Sequence, residues 1–315
     1  LGTRLFLLGE EAVEKRSREK GGLVQGEKWA GRFFLGFASV SLLVMALIVL
    51  FLFNEGVAIF KTVSPKDFFL GRVWYPTYDP PDFGIFPLIV GSLVVAVASS
   101  LIAVPLGVGS ALYLAGVAGA RLREVIKPAI ELLASLPSVV LGFLGMVVVA
   151  PLMQEFLDIP TGLNILNASV MLALMAIPTI ASISEDALYS VPQELLEASY
   201  ALGATRWETM SRVLVPGALS GICTAVILGM SRAIGETMVV LMVAGGAAQI
   251  PSSIFDSVRP MPASIAAEMG EAAHGSDHYH ALFAIGMVLF FLTFTFNLVS
   301  AWLSRRFQQR GSATL

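Results

Sequence analysis

Long uncharged runs alternate with short polar stretches along the whole of this 315-residue chain. The runs occupy residues 33–53, 83–120, 132–154, 159–184, 213–231 continuing through 237–255, and 281–304. Each approaches or exceeds the roughly 20 residues that a helix needs to cross about 30 Å of hydrocarbon. The pattern predicts an all-α integral membrane protein with six transmembrane helices. Pro87, Pro105, Pro137, Pro151 and Pro178 fall in or at the ends of these runs. A proline there frees a carbonyl and kinks the helix, which a bilayer tolerates when neighbouring helices or hydroxyls satisfy the backbone.

Composition agrees. Apolar residues make up 56% of the chain and charged residues 14%, with a mean hydropathy of +0.79; a soluble domain carries about a quarter charged residues. The single cysteine, Cys223, lies inside an apolar run, has no internal disulfide partner and reads as a small core residue. The first long run follows a polar stretch and is too long for a signal-peptide core, so no cleavable signal is expected.

Six spans put both termini on one side. With both in the cytoplasm, fifteen Lys and Arg lie inside: seven in the tail, then Arg121, Arg123, Lys127, Arg206, Arg212, Arg305, Arg306 and Arg310. Lys61, Lys66, Arg72 and Arg259 lie outside. That asymmetry fixes the expected orientation. The chain then divides into a cytoplasmic tail (1–32), a first helix with an outer loop (33–84), a five-helix core (85–304) interrupted by a cytoplasmic loop (185–213), and a cytoplasmic tail (305–315).

The cytoplasmic loop reads as two short helices in an L. Ser190-Val191-Pro192-Gln193 has the form of a capping-box start with proline in the first turn. Gly203 suits the left-handed position that ends a helix. Thr205-Arg206-Trp207-Glu208 is a second capping box, starting a helix toward Val213, with Pro216 near the beginning of the fifth span. Leu195, Ala198, Ala201 and Leu202 recur at helical spacing, an apolar stripe that packs on its own bundle or seeks a partner.

Glu197-Ala198-Ser199, then Gly203, then Val213-Leu214-Val215-Pro216, resembles the EAA loop that import-type ABC permeases offer to their ATPase; Ser199 stands where alanine is usual. The resemblance implies a type-I ABC importer permease bundle, MetI-like, with Glu197, Ala198, Ser199, Gly203, Ala204 and Pro216 docking an ATPase subunit dimer. Glu197 would enter a cleft near the nucleotide site, and Gly203 would set the turn. ATP and Mg would belong to that ATPase, with no cofactor on this chain. In keeping with this, a Walker A loop needs a Gly-Lys pair, and none of the six lysines follows a glycine.

Within the fifth span, Arg232-Ala233-Ile234-Gly235-Glu236 places a cation and a carboxylate one helical turn apart. Each charge at the centre of a bilayer costs on the order of 3 kcal/mol, so neither is expected to face lipid unpaired. Gly221, Ala225, Gly229 and Ala233 form a row of small residues that admits another helix closely. Two readings stand. The pair is an intrahelical salt bridge, although Glu after Arg is the weaker orientation for helix support. Alternatively, Arg232 offers positive potential to an anion in transit while Glu236 fixes it.

The stretch Leu228-Gly229-Met230-Ser231-Arg232-Ala233-Ile234-Gly235-Glu236-Thr237-Met238 resembles the L-G-x-x-R-A-x-G-E-T-M run of phosphate importer permeases. Leu133-Ala134-Ser135-Leu136-Pro137-Ser138-Val139-Val140, Phe83-Gly84-Ile85-Phe86-Pro87 and His278-Tyr279-His280-Ala281-Leu282-Phe283 are similar to segments of its PstC-type member. The resemblance implies inward phosphate transport by alternating access in a bacterial plasma membrane, with Arg232, Glu236 and Thr237 on the substrate path. It further implies a PstA-type sister permease and a periplasmic or lipid-anchored phosphate-binding protein as partners, with membrane lipid around them and no nucleic acid. A permease for phosphonate, sulfate or molybdate would share the loop but should lack the Arg232–Met238 run. A secondary transporter or channel would explain the spans but not the loop spacing. A membrane-embedded enzyme would need more polar groups inside the spans than this pair.

Two outer segments remain, 54–86 and 246–280. Trp74, Tyr75, Tyr78 and Phe83 fit either an interfacial aromatic belt or a surface met by a solute-binding protein. His274, Asp277, His278 and His280 lie at close spacing and offer zinc-ligand chemistry. The alternative is a cap on the sixth span with Asp277 at the N-cap.

Overall fold

A computed structural model describes the backbone of residues 31–312, and the side chains of all of these except 120, 300 and 303–312. The expected N-terminal tail lies almost wholly outside the described residues, with Arg4, Lys15, Arg16, Arg18, Lys20 and Lys28; so do the side chains of Arg305, Arg306 and Arg310. Residues up to Asn54 form one unit and those from Glu55 onward another. Six helices among the described residues are long and apolar enough to cross a membrane.

The first, α1 (Gly31–Lys61), carries exposed apolar side chains from Phe33 to Phe51. After it come a short helix α2 (Pro65–Leu70), capped by the Ser64 hydroxyl, and a two-stranded hairpin, β1 (Trp74–Tyr75) with β2 (Asp82–Phe83). Helix α3 (Phe86–Gly116) is the second spanning helix. Helix α4 (Ala120–Ser135) and α5 (Ser138–Leu157) then replace the expected third span at 132–154. Leu136 and Pro137 between them are extended, with ψ 133° and 136°. A residue before proline is pushed out of the helical region, and proline donates no amide, so the helix cannot run through.

Helix α6 (Ile165–Tyr189) is the most buried of the six. It leads to α7 (Gln193–Ala201) and then α8 (Arg206–Gly235). The expected second loop helix and fifth span are thus one continuous helix, with a π turn at Met210–Leu214 just before Pro216. The same arrangement recurs in α5, where a π turn at Gly145–Val149 precedes Pro151. Widening the helix by one residue makes room for a ring that would strike the carbonyl four residues back, so these prolines are absorbed without a break.

The fifth run does not continue as helix through 237–255. Helix α8 ends at Gly235, and only α9 (Met238–Val243) follows before irregular chain and α10 (Met261–Glu268). The last helix, α11 (Asp277–Ser312), starts four residues before the expected 281 and runs past 304 into the segment read as a tail.

In lipid, close packing of small residues rather than water exclusion holds helices together. The small row on α8 meets α6: a Cβ on Gly229 would lie 2.6 Å from Ile180 Cγ1, and one on Gly221 would overlap Ala187. Ala103 of α3 joins Ala173, Ala176 and Ile180 of α6 in the middle of the bundle. At the α7 end of the bundle Ala111, Leu188, Leu214, Ala218 and Ile222 close the core. At the opposite end the hairpin seals it. Trp74 and Phe83 are buried with Phe68, Met261 and Leu282, so they are neither belt nor docking surface. The Trp74 indole donates to both oxygens of Glu268, 3.1 Å each, and Glu268 also meets Arg259 at 2.5 Å and His278 at 2.9 Å. Tyr75 and Tyr78 remain exposed, their rings stacked 4.7 Å apart.

Candidate functional site

The loop between α6 and α8 is built largely from local chemistry. The Thr205 side chain accepts from the Glu208 amide at 3.3 Å and the Glu208 carboxylate accepts from the Thr205 amide at 2.9 Å, the expected reciprocal cap. Gly203 takes φ +84°. Its amide bonds to the Tyr200 carbonyl, and the Ala204 amide reaches back to Ser199 at 3.2 Å, closing a Schellman turn. The first expected cap fails. Pro192 holds the N-cap position of α7 without a side-chain bond, and the Ser190 hydroxyl instead donates to the Ala187 carbonyl behind it.

Glu197 and Ala198 are exposed on α7, and Pro216 is exposed on α8. The apolar stripe divides: Leu195, with Leu196, packs on the adjoining end of the core, whereas Ala198, Ala201 and Leu202 stay exposed. Leu202 at 90% and Trp207 at 70% exposure, with Tyr200, form an aromatic and apolar surface beside Glu197. Ser199 and Thr209 share a hydrogen bond of 2.9 Å that ties α7 to α8. That contact has no signal in the spacing of the loop; the unusual serine was its only trace.

Arg232 and Glu236 do not form the intrahelical salt bridge. Glu236 already lies beyond the end of α8, with ψ 129°, and among the described residues no ion pair joins the two. Gly235 is a poor helix former, and the chain break it permits frees backbone amides that must be satisfied inside a membrane. The Glu236 carboxylate does this, accepting from the Met238 amide at the start of α9 at 3.2 Å. The Thr237 carbonyl accepts from Leu241 in the same turn. The Arg232 guanidinium, exposed on this chain, donates to the Thr179 hydroxyl of α6 at 3.2 Å. Arg232 and Glu236 still line one crevice, with Leu172, Met175 and Ala176. Next to Arg232 on the sequence, Ser231 donates to Asn297 of α11 at 3.2 Å.

A second charged group sits at the C-terminal end of α6. The Glu185 side chain, 2% exposed, lies 3.2 Å from Lys127 Nζ and 3.3 Å from Arg123 Nη2, both on α4. The Arg123 guanidinium also covers the Tyr189 ring at 4.1 Å. Reading those two basic residues only as inward-facing charges misses the partnership. At the opposite end of the bundle, two of the three histidines go to separate carboxylates, His278 to Glu268 and His280 to Glu55 at 3.3 Å, while the His274 ring packs against Tyr279. The cap on α11 comes from Ser276, which accepts from the Tyr279 amide at 3.1 Å, one residue before the expected Asp277.

Comparison with solved structures defines the class first. The chain matches the MetNI methionine ABC transporter in an inward-facing conformation with a TM-score of 0.53, 23% identity, and coverage of 71% of this chain and 94% of that one. It matches a bacterial ABC transporter involved in alginate import with a TM-score of 0.58, 16% identity, and coverage of 87% and 96%. At those identities the likeness is one of fold, that of the MetI-like ABC importer permeases. Residues 103–310 match the family described as "Binding-protein-dependent transport system inner membrane component", and the chain belongs to that family. Among curated relatives, it is 42% identical to the probable ABC transporter permease protein YqgH of Bacillus subtilis, covering 82% of this chain and 84% of that one. It is 34% identical to the phosphate transport system permease protein PstC of Mesorhizobium japonicum, covering 78% and 80%. The protein is therefore a multi-pass permease subunit of an ABC importer in a bacterial inner membrane, and ATP hydrolysis belongs to another subunit.

Proposed function

We propose that this permease moves inorganic phosphate into the cell by alternating access. The observation that carries the reading is the state of Arg232. It is a cation within a membrane-spanning helix, opposite the middle of α6, not neutralised by the carboxylate four residues on, and exposed on the surface of the single chain. Exposure to lipid would be costly. A second permease packed against this face would enclose Arg232 and turn its positive potential onto a path between the two subunits. A PstA-type sister fits that role. Glu236 and Thr237 would shape the same path at the break between α8 and α9. Relatives named as PstC permeases for phosphate, and the Arg232–Met238 run, support phosphate over other oxyanions.

The exposed surface of Glu197, Ala198, Tyr200, Leu202 and Trp207 would seat an ATPase dimer holding ATP and Mg, with Ser199, Gly203, Ala204 and Pro216 giving the loop its shape. A periplasmic or lipid-anchored phosphate-binding protein would deliver cargo at the hairpin side, and both termini would be cytoplasmic. The test is uptake in proteoliposomes carrying this chain, its sister permease, its ATPase and its binding protein. ATP-dependent phosphate uptake is expected, lost in Arg232→Gln while the complex still assembles. Undiminished uptake by that variant would return Arg232 to a structural role, and preference for sulfate, molybdate or phosphonate would replace the cargo.

A further inference from the structure

Thr179 follows Pro178 on α6 and faces the last turn of α8. Its hydroxyl oxygen accepts from Arg232 Nη1 at 3.2 Å. A hydroxyl has one hydrogen to donate as well as lone pairs to fill. At several other helical positions that hydrogen goes to a carbonyl three or four residues back, as from Ser99 to Ala96, Thr224 to Ser220 and Thr293 to Leu289, whereas the buried hydroxyls of Ser169 and Ser184 on α6 have no partner among the described residues. Thr179 makes no such bond; among the described residues its one hydrogen bond is the one it accepts from Arg232. A hydroxyl that accepts from a cation is polarised into a better donor. The uncommitted proton therefore sits beside the guanidinium, while the Glu236 carboxylate in the same crevice as Arg232 accepts from the Met238 amide through Oε1.

We propose that Thr179 is a second anion-binding group of the path: its oxygen holds the Arg232 guanidinium and its proton is donated to the oxyanion passing there. This rests on the reading of Arg232 as a path residue. A tetrahedral oxyanion suits the pair, because it presents several acceptor oxygens to a guanidinium and a hydroxyl at once. A cationic side chain alone would attract any anion; a hydroxyl fixed beside it adds a direction that the anion must match.

The test uses the complete reconstituted complex and two variants. Thr179→Val keeps the shape and removes the hydroxyl, and Thr179→Ser keeps the hydroxyl and removes a methyl. Maximal uptake of labelled phosphate is expected to fall about tenfold or more in Thr179→Val, the effect of losing one hydrogen bond to a charged group. ATP hydrolysis stimulated by the binding protein should persist, and Thr179→Ser should transport like the parent. Parental uptake by Thr179→Val overturns the proposal, as does equal impairment of Thr179→Ser, since both would assign Thr179 to packing. If Thr179→Val does not assemble, Thr179→Ala carries the same comparison. A parent complex that moves a different oxyanion overturns the phosphate reading alone, and the same variants then decide Thr179 with that anion.

Discussion

Lys127 Nζ lies 3.2 Å from the buried carboxylate of Glu185, and with Arg123 it pins α4 to the C-terminal end of α6. Arg123 stands off the line of a hydrogen bond to Oε1, so its contribution there is Coulombic. Among the described side chains of α4 none is fully buried, and the helix is bounded by the extended N-cap Gly119 and the extended Leu136–Pro137 joint. It is an arm with two joints and a charged clasp. Removing one member of a buried pair usually costs 3–5 kcal/mol, but these basic groups are about a third exposed and water screens part of the loss, so about 1.5 kcal/mol is the expected scale. Glu185→Gln should therefore raise hydrogen exchange of the amides in 120–135 by about tenfold in detergent, leaving α3 and α6 protected. Unchanged exchange in α4 would show that packing, not charge, holds it.

The Schellman turn makes an equally local prediction for the coupling loop. A Cβ at Gly203 meets nothing within 4 Å, so the cost of a side chain there comes from φ +84° and not from a clash. A left-handed residue with a Cβ costs roughly 1–2 kcal/mol, more when β-branched, whereas asparagine tolerates the region. Gly203→Val should insert normally yet lose co-purification with its ATPase and most ATP-dependent uptake, and Gly203→Asn should keep both. Equal behaviour of the two variants would remove the turn from the docking account. Glu197→Lys changes the exposed charge without touching the turn and should also weaken co-purification.

Asp256 gives a pH dependence with a definite sign. Amides of Ser252 and Ser253 and the Ser252 hydroxyl bond its carboxylate, which holds its pKa below the ordinary aspartate value. A depressed carboxylate stabilises the fold fully above the ordinary value of about 3.9 and loses that contribution as pH falls through the folded pKa. The loop it organises supplies carbonyls of Asp256 and Ile254 to the amides of Ile165 and Leu166 at the start of α6. Protection of those two amides should hold at neutral pH and drop as the pH is taken below the ordinary carboxylate range. In Asp256→Asn it should already be reduced at neutral pH and respond less to acid. A pH-independent profile in the parent would dissociate the carboxylate from the α6 start.

These cases show which features the chain displays before folding. Hydropathy locates six spans because membrane crossing is a demand on composition, and the Thr205–Glu208 cap and Gly203 are legible because both partners lie within a few residues. Pro137 announces a kink, but a run that stays apolar on both sides of it hid that the helix breaks there, and the helix end at Gly235 was hidden because apolar sequence resumes directly after Glu236. Arg123 and Glu185 are paired across two helices far apart in sequence, and Thr179 is one hydroxyl in an apolar run. No local pattern marks either; only the packing of α6 against α4 and α8 brings their partners into reach. The separation of Arg232 from Glu236 was likewise invisible, since their spacing is that of a helical turn and the helix stops just short of completing it.

Asn167 tests how the wide turn of α5 is sustained. Its amide nitrogen donates to the Gly145 carbonyl at 3.0 Å and to the Gly162 carbonyl at 2.9 Å, so one buried side chain binds the start of the π turn to the segment before α6. Its own backbone amide is capped by Asn164 Oδ1 at 3.0 Å. Asn167→Leu is close in size but leaves two buried carbonyls without that donor, each loss being worth roughly 1–3 kcal/mol. The variant should unfold at measurably lower denaturant in detergent, by about 2 kcal/mol or more, with the Gly145–Val149 amides exchanging faster. Asn167→Asp keeps the shape but has acceptors where donors are needed, so it should be at least as damaging. Parental stability in both variants would mean that the π turn is held by Pro151 and helix packing alone.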